Sequence, residues 1–167
     1  MAANVSRALR WSPISKDSGA TFDGQGHKLD NLYCTPNGDT GNAGVFGTVE
    51  NGTVKRVTLN SGQYNVQSSE FKANLGGIVG ELQGGAVTDC INRAEIRYNT
   101  GGGRDKGCGG IVGKVTTAEA AITRCASTAQ MEEFSGYIYI GGIVGKTDAT
   151  TTVSYTHLRA HETRSNL

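Results

Sequence analysis

Few residues in this chain have the types and spacing that chemistry needs. His157 and His161 stand four apart with Glu162 beside them. On a helix that spacing turns two imidazoles toward one metal ion. Gly141-Gly142-Ile143-Val144-Gly145-Lys146-Thr147 approaches a phosphate-binding loop. That loop needs four residues between its first glycine and the Gly-Lys pair, and a helix after it. Here there are three, and no helical pattern follows. Gly101 to Gly107 is a glycine-rich loop of mixed charge, but it precedes a strand pattern and not a helix N-terminus. Cys34, Cys90, Cys108 and Cys125 lack the C-x-x-C spacing of a zinc site and read as small buried hydrophobes. Asp89, with Arg56 and Arg124 at matching places in neighbouring segments, is the best local candidate for acid–base work on a polysaccharide. Glycoside hydrolysis needs two carboxylates about 5–9.5 Å apart. Glu50, Glu70, Glu95 and Asp105 fall at non-matching positions, so no partner is evident. Tyr137 and Tyr139 alternate with Ile138 and Ile140, which places both rings on one face, where they are candidates for stacking on sugar. No cofactor and no metal site follows from these residues.

The elements that position them are set by repetition. Ala43-Gly44-Val45-Phe46-Gly47 is echoed by Gly76-Gly77-Ile78-Val79-Gly80, Gly109-Gly110-Ile111-Val112-Gly113 and Gly141-Gly142-Ile143-Val144-Gly145. The second glycine recurs at 44, 77, 110 and 142, a period of 33, 33 and 32. A fixed period of this size marks a solenoid or another array. Gly44, Gly47, Gly77, Gly80, Gly110, Gly113, Gly142 and Gly145 are its structural glycines. Paired glycines suit a tight corner, where the missing Cβ permits positive φ or close backbone approach. After each glycine run come a short V/I-x-x-V/C run and a third apolar run, as in Val87 to Cys90 and Asn92 to Ile96. None of these has a helical period, and runs rich in Val, Ile and Thr between Gly and Asn read as strands.

The expected fold is all-β: a parallel β-helix or β-solenoid of about four coils, each of about 33 residues with three short strands. Crossover statistics for parallel strands favour a right-handed coil. The expected inward columns are Leu29–Val54–Val87–Ile122, Leu32–Val57–Cys90–Cys125, Tyr64–Ile96–Met131 and Val45–Ile78–Ile111–Ile143. Outside, Arg56, Asp89 and Arg124 form a column of alternating charge, as do Asp30 with Lys55 and Glu81 with Lys114, while Lys114 over Lys146 breaks the alternation. Opposite charges across strands each contribute roughly 0.2–1 kcal/mol. Residues 1–20 read as a partly ordered lead-in, 21–152 as the solenoid and 153–167 as a tail outside the repeat.

The glycine runs, the turn and V/I-x-x-C strand after them, and the opening Phe22-Asp23-Gly24-Gln25-Gly26-His27-Lys28-Leu29-Asp30-Asn31-Leu32 together resemble the GLUG-motif family. The resemblance covers about Thr21 to Lys146. It implies a segment of a large exported bacterial surface or adhesin-like protein, a class that includes immunoglobulin-A-cleaving peptidases. It implies no catalytic site, and no H-E-x-x-H occurs. Val153 to Leu167, in contrast, resembles the in-frame translation of a transposase sequencing adapter, which implies a metagenomic fragment. His157, His161 and Glu162 all belong to that tail. Without it His27 is the only histidine, too few for a His-based metal site or a Ser-His-Asp triad with support.

Composition narrows the classes further. The 167 residues carry a net charge of +1, so no basic field points to nucleic acid. There are 25 glycines but only 2 prolines, unlike collagen or a proline-rich linker. No apolar run approaches the roughly 18 residues of a transmembrane helix. Met1 to Trp11 lacks the apolar core of a signal peptide. The expected function is a non-catalytic structural or adhesive segment, a stalk or display surface, at the cell surface or outside the cell. Its expected partners are a host glycan or surface protein and further solenoid coils. Two alternatives stand beside it: a polysaccharide lyase or glycosidase on a β-helix, and an accessory glycan-binding module of a surface peptidase.

Overall fold

The computed structural model describes residues 9–16, 19–36, 41–66, 73–99, 106–135, 138–148 and 152–154. Among these every regular element is a short strand, and every strand pair is parallel. The chain winds past the same five faces again and again. Face 1 stacks Ile14–Lys16, Phe46–Glu50, Val79–Gln83, Val112–Val115 and Val144–Thr147. Face 2 stacks Thr21–Asp23, Thr53–Lys55, Ala86–Thr88, Ala121–Thr123 and Thr152–Ser154. Face 3 stacks Lys28–Leu29, Thr58–Leu59, Ile91–Asn92 and Ala126–Ser127. Face 4 stacks Leu9–Arg10, Leu32–Cys34, Gly62–Val66, Glu95–Asn99 and Met131–Ser135. Face 5 stacks Leu75–Gly76, Lys106–Gly109 and Ile138–Gly141, with Ala43 bridged to Leu75. The protein is a parallel β-solenoid.

Each full coil therefore has five short strands where three are expected. Corners lie inside runs that look continuous in sequence. Left-handed Arg56, Asp89 and Arg124, with φ of 55°, 54° and 51°, end face 2 and turn the chain into face 3. The strands Leu9–Arg10 and Ile14–Lys16 fall within the lead-in, yet they already pair with Leu32–Tyr33 and with face 1. At the other end Thr152–Ser154 keeps register with Ala121–Thr123, so the first two residues of the expected tail still follow the ladder. Residues 155–167, including His157, His161 and Glu162, lie outside the described residues.

Two of the expected columns hold and two need correction. Tyr64, Ile96 and Met131 align, and Cys34 extends the column backward. Val45, Ile78, Ile111 and Ile143 precede the aligned Phe46, Val79, Val112 and Val144, and all four are buried. Phe22, not Leu29, lies against Val54 in the column of Val87 and Ile122. Leu29 lies against Leu59, and Leu32 against Gly62 rather than Val57. Between Asp23 and Lys28 there are four residues where the next coil has two, Arg56 and Val57. The extra pair makes a turn through left-handed Gln25 and Gly26. Matching Leu29 and Leu32 to Val54 and Val57 by type alone skipped that turn.

The glycines act through missing volume. None of Gly76, Gly77, Gly109, Gly110, Gly141 or Gly142 has a positive φ. A Cβ on Gly76 or Gly109 would overlap the carbonyl oxygen of Val79 or Val112, three residues on. A Cβ on Gly77 would collide with the Asn92 side-chain amide and the Gly110 carbonyl. On Gly110 it would meet the Ser127 hydroxyl and the Gly142 carbonyl. The corner between faces 5 and 1 is thus a backbone-on-backbone contact, latched from face 3. Asn92 is the latch of its coil. It is fully buried, its Nδ2 donates to the Gly110 carbonyl at 2.8 Å, and its Oδ1 accepts from the Ala94 N–H at 2.9 Å. A buried polar group is tolerated because both ends of its amide are satisfied.

Gly77→Ala is accordingly expected to lower the unfolding free energy by about 1–3 kcal/mol, the usual range for an overfilled core. Asn92→Ala is expected to cost about 1–3 kcal/mol through the unpaired Ala94 N–H and Gly110 carbonyl. Urea unfolding of the two variants against the parent chain measures both.

Candidate functional site

The solvent side of the corner between faces 2 and 3 holds the charged residues singled out from sequence. All three sit at left-handed positions, and two of their N–H groups bond the next coil: Arg56 to the Thr88 carbonyl and Asp89 to the Thr123 carbonyl, both at 3.1 Å. Because equivalent corners stack one strand spacing apart, side chains at these positions meet their counterparts above and below. The Arg124 guanidinium grips Asp89 with both arms, Nε to Oδ1 at 2.6 Å and Nη2 to Oδ2 at 2.7 Å. Arg124 Nη2 also reaches the Thr88 hydroxyl at 3.0 Å. Arg56 takes a different carboxylate. Its Nε donates to Asp23 Oδ1 at 2.8 Å and its Nη2 donates to Asp23 Oδ2, with Lys55 Nζ 3.5 Å from the same oxygen.

The structure thus brings Asp89 and Arg124 together and pairs Arg56 with Asp23. The hydrogen bonds from Arg124 hold the Asp89 carboxyl below its ordinary value. The hydrogen bonds from Arg56 pull Asp23 down further, helped by the Gln25 N–H. A carboxylate bound on both oxygens and kept ionised is poorly suited to deliver a proton. What the pairs do is tie one coil's corner to the next. Asp30 belongs with neither pair, nor with Lys55 as its sequence position suggested. It accepts from Asn60 Nδ2 at 2.7 Å and the Ser61 hydroxyl at 3.0 Å.

Face 5 carries the aromatic candidate. Tyr139 is 53% exposed on the strand Ile138–Gly141, and Lys146 Nζ lies 5.3 Å from its ring centroid. Tyr137 lies outside the described residues. Lys146, the cation of the near-miss phosphate loop, is in an extended strand and bonds Asp148 at 2.8 Å. Lys114 bonds the same carboxylate at 2.6 Å, so Asp148 resolves the stacking of Lys114 on Lys146. At Gly76, Gly77, Gly80, Gly109, Gly110 and Gly113 the backbone is packed closely against its own or a neighbouring coil, with no room for a Cβ.

A polar cluster beside the glycine corner was not anticipated. Asn42 Nδ2 donates to Glu81 Oε2 at 2.6 Å and to the Thr48 hydroxyl at 3.1 Å. Asn74 Nδ2 reaches Asn42 Oδ1 and Glu81 Oε2, both at 3.1 Å, and Gln83 Nε2 holds Glu81 Oε1 at 2.9 Å. The Gly107 N–H extends the ladder to Asn74 Oδ1 at 3.0 Å. The signal was present: Asn42 and Asn74 stand 32 apart, just before successive glycine corners. With its donors and acceptors paired internally, the cluster reads as a ladder that fixes register.

The four cysteines are buried and unbridged. Burial raises the thiol of Cys34 to about 11 and lifts that of Cys108 still higher, the behaviour of inert core thiols. Among the described residues no group of three His, Cys, Asp or Glu side chains is placed to hold a metal. Nor is any helix there long and apolar enough to cross a membrane. No family model, no curated protein and no solved structure matches the chain.

Among the described residues, five carboxylates are held below their ordinary range by hydrogen bonds. These are Asp23 by Arg56, Asp30 by Asn60 and Ser61, Asp89 by Arg124, Glu95 by Gln63 and then Arg97, and Asp148 by Lys114 and Lys146. Depressed values mean that the unfolded chain binds protons first as pH falls. Their stabilisation is present above about pH 4, the unfolded range, and is lost as pH drops through the folded values. Melting temperatures followed by circular dichroism are expected to hold steady from about pH 7 to about pH 5 and to fall below about pH 4.

Proposed function

We propose that this chain is a structural, adhesive repeat segment: a stiff stalk or display surface of an exported bacterial cell-surface protein. The observation that supports this reading best is the unbroken stack of parallel ladders on five faces around one continuous core. Each coil lies on the next through backbone hydrogen bonds, so load along the axis is shared among several ladders. Several charged side chains on the outside bond neighbouring coils, as Arg124 does Asp89 and Lys114 does Asp148. The resemblance to GLUG repeats, carried by the in-phase Gly-Gly-Ile-Val-Gly runs, supports the same context outside the cell. The proposed partners are a host glycan or surface protein, met by projecting loops and edges.

One observation favours a glycan-binding role within this reading. Tyr139 exposes a ring on face 5 with a cation beside it, a combination that accepts the apolar face of a sugar and one of its polar groups.

Two measurements test these readings. Incubation with a broad polysaccharide panel is expected to release no soluble product. Release that disappears in Asp89→Ala would replace the structural reading with a catalytic one. On a glycan array, any bound glycan is expected to be lost in Tyr139→Ala, and binding that survives the substitution would exclude this ring as the contact.

A further inference from the structure

The large apolar side chains exposed among the described residues are Ile14, Phe22, Tyr139 and Ile140, and all four lie on the first or last strand of a face. The two ends differ in kind. At the N-terminal end, register places Trp11-Ser12-Pro13 where the next coil has Ala43-Gly44-Val45. The glycine corner is gone there. The Trp11 indole N–H donates to the Val45 carbonyl at 3.0 Å and the ring packs on the core. A proline before an edge strand blunts further pairing. Phe22 lies edge-on against Phe46, with ring centroids 5.0 Å apart.

The C-terminal end keeps its whole corner. Gly141, Gly142, Ile143, Val144 and Gly145 are all present. Within the stack, the second glycine of each coil is required by the next coil. A Cβ on Gly44 would come within 2.8 Å of the Gly76 carbonyl oxygen, and one on Gly77 or Gly110 would overlap the carbonyl of Gly110 or Gly142. A Cβ on Gly142 would meet nothing within 4 Å, and its φ is not positive. Among the described residues, neither space nor backbone conformation demands glycine at that position. Ile140 shows the same pattern. It continues the column of Leu75 and Cys108, both fully buried, yet it is 47% exposed.

We propose that the C-terminal end of the stack is a seat for one further coil of the same glycine-corner type, which lays a backbone carbonyl over Gly142 and covers Ile140. This rests on reading the chain as part of a longer rod. It adds a place and a chemistry: the Gly142 corner takes the backbone carbonyl and Ile140 takes the apolar cover. The argument is continuity with an interface the protein already builds several times. The seat has the register, the strand direction and the glycine that such a coil uses elsewhere in the stack.

The test compares the full chain with an extended chain in which residues 149–167 are replaced by a second copy of residues 117–147. That graft keeps Asp148 and continues the 32-residue offset between Val112 and Val144. In the full chain Gly142→Ala is expected to leave the urea midpoint unchanged. In the extended chain it is expected to lower the midpoint by as much as Gly110→Ala does there. A thiol probe gives a second readout, since the native cysteines are buried. Ile140→Cys is expected to label at least about tenfold more slowly in the extended chain, as protection by a covering element requires. An extended chain that fails to fold, equal effects of Gly142→Ala in both chains, or unchanged labelling would overturn the proposal. So would a concentration-dependent dimer of the full chain that Ile140→Lys abolishes, because it would give the seat to a second copy. None of these outcomes depends on glycan binding or polysaccharide release, so this proposal and the proposed function fail separately.

Discussion

The structure depends on how closely one backbone can pass another at the Gly-Gly-Ile-Val-Gly corner. There the chain leaves face 5 and enters face 1 two residues later, with the carbonyls of Val79 and Val112 against the first glycine and the next coil's carbonyl against the second. No side chain fits between them. The first glycine packs on a carbonyl of its own coil and the second on one of the following coil, so the same pair makes the corner and admits the next coil. The Ile and Val after the glycines then enter the core together: Ile78, Val79, Ile111 and Val112 are all fully buried. Each such side chain contributes roughly 1.5–3 kcal/mol once stacked. A single coil could not bury both of its faces, so the corner and the stack stabilise each other.

Polar groups take the complementary task of register. A column of Val and Ile slides with little penalty, whereas the amide ladder of Asn42 and Asn74 on Glu81 is satisfied in one alignment. The Asn92 latch and the corner pairs Arg124–Asp89 and Arg56–Asp23 work in the same way. These corner residues occupy left-handed backbone without being glycine, at a cost of roughly 1–2 kcal/mol each. The bond from each corner N–H of Arg56 and Asp89 to the coil above and the ion pair at its tip offset part of that cost. Asp89, Arg56 and Arg124 are thereby tied into the stack.

How much was legible follows from which signals are periodic. The glycine runs repeat with almost no drift, so the solenoid, its coil length and the columns through Tyr64 and Ile78 could be read directly. The first coil was misaligned because Leu29-x-x-Leu32 copies the spacing of Val54-x-x-Val57, although register sets Phe22 on Val54 and Leu29 on Leu59. The five strands per coil were hidden because Arg56 and Arg124 carry no turn signature, and Asp89 alone does not repeat as one, although all three have positive φ. The glycines were expected to supply positive φ or close approach, and only the second is used at the repeated corner.

The sequence by itself determined that the chain coils, with what period, and which side chains point inward, because those properties repeat and repetition needs no partner to be seen. Tertiary structure alone decided what each outward polar residue meets. Asp89 finds Arg124 and Arg56 finds Asp23, although all four sit at or beside equivalent corners. Asn92 finds a carbonyl 18 residues further along the chain. The physical reason is that such contacts are set by the distance between stacked coils. That distance is the strand spacing of the parallel ladders, which the glycines permit at the corner.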